Sequence, residues 1–152
     1  SINLKGTPML HGPMLHPELI GALGRAGHGS RILIGDGNYP SMNGVNPAAE
    51  RVYLNLAPGL LTVSQILDVV KETIPIEQVA LMIPADDAVG IERPDVIPAH
   101  DEYRATMAGT PFAEIKRWDF YEVAKSGDVT VFIQSADQRL YANVLLTVGV
   151  RV

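Results

Sequence analysis

A histidine set between two glycines, Gly27-His28-Gly29, precedes an apolar run, Arg31-Ile32-Leu33-Ile34-Gly35, which leads into Asp36-Gly37-Asn38-Tyr39-Pro40. A histidine titrates near neutrality and can give or take a proton, and a carboxylate can hold hydroxyls or orient an acid. Further along, Arg117-Trp118-Asp119-Phe120-Tyr121-Glu122 and Tyr141-Ala142-Asn143 supply a planar guanidinium, hydroxyls, an amide and aromatic faces. Such a set suits a small polyhydroxylated ligand. Each stretch also has a plainer reading. His28 serves equally well as a helix C-terminal histidine satisfied by carbonyls, and Asp36 as a turn aspartate. Trp118, Phe120 and Tyr121 can fill a core while Asn143 caps a turn.

The elements between these residues decide which of them can meet. Pro17 suits the first turn of a helix that carries Leu19, Ile20 and Leu23 on one face and ends near Gly27. Arg31 to Gly35 reads as a strand covered on both sides. Ser41 to Glu50 is a long loop, and Arg51 to Leu56 alternates as a second strand would. Thr62 to Thr73 is the clearest helix: Thr62 caps it, Gln65 occupies the capping-box position, and Val63, Ile66, Leu67 and Val70 form its stripe. Val79 to Ile83 is a buried strand, followed by a long acidic connection from Pro84 to Pro98. His100 to Ala108 is expected as helix, Phe112 to Trp118 as strand, and Asp119 to Lys125 as a short helix capped by Asp119. Val129 to Gln134 and Asn143 to Val148 complete the strands. Helices alternating with apolar strands define an α/β class, with three layers (α/β/α) around a mostly parallel or mixed sheet. One domain over residues 1–152 is expected, irregular over 1–15.

His28 and Asp36 would flank the same five-residue strand, which spans about 17 Å. They share one pocket only if the chain folds back or a neighbouring subunit contributes. Asp36 stands at the carboxyl end of the strand, where ligands of α/β sheets bind.

Composition narrows the function classes. Of 152 residues, 47% are apolar and 19% charged, as in an ordinary globular protein. Twelve Lys and Arg against seventeen Asp and Glu give a net charge of −5, with no basic tract, so no nucleic-acid partner is expected. The chain has no cysteine, which removes disulfides, thiolate catalysis and Cys-ligated zinc. His11, His16, His28 and His100 follow no metal-binding spacing, and no metal is expected. Gly21-x-x-Gly24-x-x-Gly27-x-Gly29 lies within and after a helix and before a strand, the reverse of a dinucleotide fingerprint. There is no Gly-x-Ser-x-Gly elbow. With neither a membrane-length apolar run nor a signal-peptide layout, no membrane partner is expected and the location expected is cytoplasmic.

Three anchors in order resemble the ribose pyranase and fucose mutarotase family. They are Gly27-His28-Gly29 leading to Asp36-x-x-Tyr39-Pro40, then Arg117-x-x-Phe120-Tyr121-Glu122, then Tyr141-x-Asn143-x-x-Leu146-x-x-Gly149-Val150. The likeness runs from about His16 to Val150 and is nearer the fucose branch, although Ser30 stands where that branch usually has Asp. The resemblance implies His28 as the proton donor, with Asp36, Arg117 and Tyr141-Ala142-Asn143 binding a monosaccharide. Tyr141 or Tyr121 would relay a proton or cover the ring. It also implies a ribose-pyranase-like fold, a homodecameric ring with sites between neighbouring subunits, and no cofactor. The activity implied is interconversion of the anomers of L-fucose or a similar sugar. A ribose-type pyranase, or a non-catalytic monosaccharide-binding protein of a sugar transport or catabolic system, would use the same residues. Ring opening of a hemiacetal needs one proton delivered to the ring oxygen and another removed from the anomeric hydroxyl, within reach of a histidine near neutrality.

Overall fold

The computed structural model describes residues 9–152, so the expected irregular stretch over 1–15 lies partly outside the described residues. The elements in chain order begin with helix α1 (Pro17–Arg25), strand β1 (Arg31–Gly35), strand β2 (Glu50–Tyr53) and helix α2 (Val63–Val70). Strand β3 (Ile76–Ile83), a 3-10 turn at Gly90–Glu92 and helix α3 (Pro98–Thr106) follow. Strand β4 (Phe112–Lys116), helix α4 (Arg117–Ala124), strand β5 (Val129–Gln134) and strand β6 (Val144–Val148) complete the chain. No helix among the described residues is long and apolar enough to cross a membrane.

Local chemistry explains where the helices start. Pro17 opens α1, and the His16 side chain accepts the Leu19 amide at 3.2 Å. Thr62 and Gln65 form the expected capping box of α2, which ends at Val70, short of Thr73. The expected Asp119 cap of α4 is not used. β4 stops at Lys116 and the helix begins at once with Arg117, leaving Asp119 in its first turn. There its charge favours the positive end of the helix dipole.

The six strands lie in the order β2-β5-β1-β6-β3-β4. Neighbours are parallel except at β6, which runs antiparallel to both β1 and β3. Thus β6 joins two parallel half-sheets, β2-β5-β1 on one side and β3-β4 on the other. Its first residue lies at the same edge as the last residues of its neighbours.

Side chains alternate between two cores along most of the sheet. Ile32, Ile34, Val79, Leu81, Val131, Ile133, Val144 and Leu146 face α1, α2 and α3. Leu33, Ala80, Met82, Phe132 and Leu145 face α4 and the loop carrying Tyr39, Val45 and Ala49. The second layer is thin. Phe120 and Ala124 are the buried residues of α4, and Phe120 is fully enclosed. Phe120→Ala is therefore expected to destabilise the fold by about 3–5 kcal/mol. Urea denaturation would read this as a lower midpoint with unchanged slope; an unchanged midpoint would mean that Phe120 does not hold α4 to the sheet.

Candidate active site

The antiparallel insertion of β6 brings the motif residues to one edge. Asp36 follows β1, Met82 nears the end of β3, and Arg117 opens α4 directly after β4. Tyr121 lies one helical turn beyond Arg117, on the same face. Tyr141 and Asn143 precede β6 and arrive at that edge because β6 runs the other way. Asp36, Asn38, Tyr39, Met82, Ile91, Glu92, Arg117, Tyr121, Leu140, Tyr141 and Asn143 enclose a cavity of about 310 Å³. It straddles the junction of the two half-sheets at the carboxyl ends of the parallel strands, the usual ligand position in α/β sheets.

Asp36 is anchored by its backbone as well as its side chain. The Asn143 Oδ1 accepts its amide at 2.7 Å, and the Gln134 Nε2 donates to its carbonyl at 2.6 Å. Its Oδ1 accepts the Asn38 amide at 2.9 Å, closing an Asx turn. The residue is 8% exposed. Burial pushes the carboxyl up to about 6, helped by the nearby Asp137 charge and opposed by hydrogen bonds from Asn38, Asn143 and Tyr39. A buried carboxylate of that basicity is suited to taking a proton near neutral pH.

Arg117 frames the other wall. Its guanidinium carbon lies 4.7 Å from the centre of the Trp118 ring and 5.9 Å from that of Tyr121, and its Nη1 lies 3.9 Å from a Glu92 carboxylate oxygen. Tyr121 packs on Tyr39 at 5.6 Å between ring centres. The Tyr141 hydroxyl donates to the Glu92 carbonyl, which ties the 84–97 connection to the cavity. Burial raises the pKa of Tyr141 while Arg117 opposes the rise. The result is a cationic, aromatic rim over a carboxylate floor.

His28 does not join this group. It lies in the turn before β1, at the opposite edge of the sheet, about 17 Å away along the strand. Gly29 takes a φ of 84° and donates its amide to the Val148 carbonyl at 2.9 Å, which fixes that turn to the far end of β6. The His28 Nε2 stands 3.1 Å from the Glu77 carboxylate, and both side chains are about half exposed. Ala142 is fully buried and does not line the cavity; its carbonyl accepts the Tyr103 hydroxyl at 2.8 Å. Asp36, Arg117, Tyr121, Tyr141 and Asn143 do come together.

Sequence reasoning passed over Tyr39, Met82, Ile91, Glu92 and Leu140 as wall residues. Tyr39 had a visible signal, since it lies in the same Asp-x-x-Tyr-Pro turn as Asp36. Ile91 and Glu92 sit in an aperiodic connection and are placed by the Tyr141 hydroxyl, a partner 49 residues away in sequence. In the sequence His100 opens an expected helix and follows no metal-binding spacing. In the structure its Nε2 donates to the Tyr141 carbonyl at 2.7 Å, and burial lowers its pKa below the ordinary histidine value.

The fold and cavity define a class: an α/β protein with a small polar ligand pocket where one antiparallel strand joins two parallel half-sheets. Residues 9–151 match the RbsD/FucU transport protein family, and the chain belongs to that family. It is 32% identical to the fucose mutarotase of Bos taurus over 97% of this chain and 94% of that one. It is 29% identical to the D-ribose pyranase of Paracidovorax citrulli over 90% of this chain and 95% of that one. Among solved structures, the fucose mutarotase of Streptococcus pneumoniae in complex with L-fucose has a TM-score of 0.76 at 25% identity. That match covers 93% of this chain and 99% of the other.

Proposed function

We propose that this protein is a cofactor-independent monosaccharide mutarotase acting on L-fucose or a sugar like it. The observation that carries the reading is the cavity itself: Asp36, Arg117, Tyr121, Tyr141 and Asn143 converge on one sugar-sized space. The chain shares its fold with a protein solved with L-fucose. Met82, Ile91 and Leu140 add apolar wall, which suits the methyl group that fucose carries and ribose lacks.

Mutarotation opens the cyclic hemiacetal to an aldehyde, lets the C1 end turn, and recloses it. No oxidation, phosphate transfer or Lewis acid is required. Asp36 accepts the proton of the anomeric hydroxyl, and Arg117 and the Asn143 amide hold ring hydroxyls. His28 of a neighbouring subunit donates the proton to the ring oxygen, because its place at the opposite sheet edge denies it to its own cavity. Reclosure on the other face of C1 reverses both transfers. The assembly is a homodecameric ring, which in sedimentation runs at ten times 16.4 kDa, about 160 kDa.

Exchange between the anomeric protons of equilibrated L-fucose, followed by NMR with and without protein, tests the activity. Acceleration for fucose above ribose is expected. Acceleration for ribose alone would assign the pyranase activity named for the Paracidovorax citrulli relative. Ligand broadening without exchange would leave a binding protein and remove the mutarotase.

A further inference from the structure

Resting on the mutarotase reading, we infer that His100 and Tyr103 of α3 are positioning residues that set the sugar-facing geometry of Tyr141 and Asn143. Neither lines the cavity. They stand three residues apart on one face of α3 and donate to consecutive carbonyls of the segment before β6. His100 Nε2 reaches the Tyr141 oxygen at 2.7 Å, and the Tyr103 hydroxyl reaches the Ala142 oxygen at 2.8 Å. A carbonyl only accepts, so His100 carries its hydrogen on Nε2.

The segment needs such anchors. Among the described residues Tyr141 is the non-glycine residue with a left-handed backbone, at a φ of 57°. An L residue holds that conformation only where its surroundings over-determine it. Both carbonyls lie ahead of the first ladder residue, Val144, and both residues are buried, so no sheet partner or open solvent satisfies them. Two donors on a rigid helix, aimed at two successive oxygens, fix the turn. Everything downstream in the site hangs from it. Tyr141 sends its hydroxyl to the Glu92 carbonyl, and Asn143 holds the Asp36 amide at 2.7 Å. The α3 pair thus aligns both the proton acceptor and the wall opposite it without touching the sugar.

Three variants test this: Tyr103→Phe, His100→Ala and His100→Gln, the last keeping a donor near Nε2. Two measurements are made: steady-state kinetics giving KM and kcat for the sugar, and the NMR resonances of the Asn143 side-chain amide without sugar. Tyr103→Phe and His100→Ala are expected to raise KM about tenfold, a loss of ground-state and transition-state binding alike, with kcat within about twofold. In both, the Asn143 amide resonances should move. His100→Gln should restore KM and resonances to near wild-type values, which general destabilisation would not do. Unchanged KM and unchanged resonances in Tyr103→Phe and His100→Ala would overturn the inference. If the wild-type protein shows no turnover, the mutarotase reading falls; the amide resonances then decide the positioning role by themselves.

Discussion

Two inactive variants are expected to regain activity when their subunits are reassembled together. His28→Ala and Asp36→Asn are each expected to lower anomer exchange about 10²–10⁴-fold, the usual worth of a positioned proton transfer. In the proposed mechanism a working site takes Asp36 from one subunit and His28 from its neighbour. Random mixing of equal amounts of the two variants would then pair them correctly in about one site in four, because the proposed contact joins unlike surfaces of adjacent copies. Co-unfolded and co-refolded mixtures should therefore recover about a quarter of wild-type exchange, while the same variants mixed as folded proteins recover none. A refolded mixture as inactive as its parents would remove His28 from the site. The proposal rests on the separation within one chain: His28 pairs with Glu77 at one edge of the sheet and the cavity opens at the other.

Asp36→Asn should also stabilise the protein above neutral pH while silencing it. The folded protein holds the Asp36 proton up to about 6 against an ordinary 3.8. The folded state therefore binds more protons than the unfolded one across that window, and stability falls with rising pH there. The favourable contribution is complete below 3.8 and gone once pH passes through about 6. Its size is about 3 kcal/mol, carried by a residue only 8% exposed. Asparagine does not titrate, and its oxygen still accepts the Asn38 amide. Denaturation midpoints of the two proteins should run close at pH 4 and separate by pH 7, with the variant above the wild type. A gap that stays constant with pH would mean that Asp36 ionises at no cost to the fold. Wild-type exchange should rise with pH through about 6 as the carboxylate forms. A buried charge kept at the expense of stability is what a site under functional constraint shows.

How much of this was legible in the sequence depends on range. β1, α2 and β5 were readable because a local pattern decides them: a continuous apolar run for the strands, a capping box and stripe for α2. The start of α4 was misplaced because Asp119 has the side chain of a cap. The helix instead begins two residues earlier, with Lys116 in the cap position and no side-chain hydrogen bond to it. That register sets Arg117 and Tyr121 on one face, toward the cavity, an arrangement tertiary packing imposes over capping preference. The motif residues could be named one by one because Asp36 ends an apolar run, Tyr141 and Asn143 precede another, and Arg117 and Tyr121 belong to a short recognisable motif. Their meeting depends on β6 lying antiparallel between β1 and β3, and no local pattern in Val144–Val148 encodes that direction. His100 and Tyr103 were illegible for the same reason, since their partners lie 41 and 39 residues away.

The place of β6 has a consequence for synthesis. Of the described strands it is the last made, yet it lies near the middle of the sheet, between β1 and β3. Until it docks, the β2-β5-β1 and β3-β4 half-sheets have facing open edges at β1 and β3. Both edges are fully apolar in their buried rows and free to pair with another chain. Tyr141 and Asn143 enter with the same segment, so the pocket and the closed sheet come into being in one event. A chain whose β6 has not docked therefore lacks the pocket and is at its most adhesive, which makes that interval the natural window for chaperone protection.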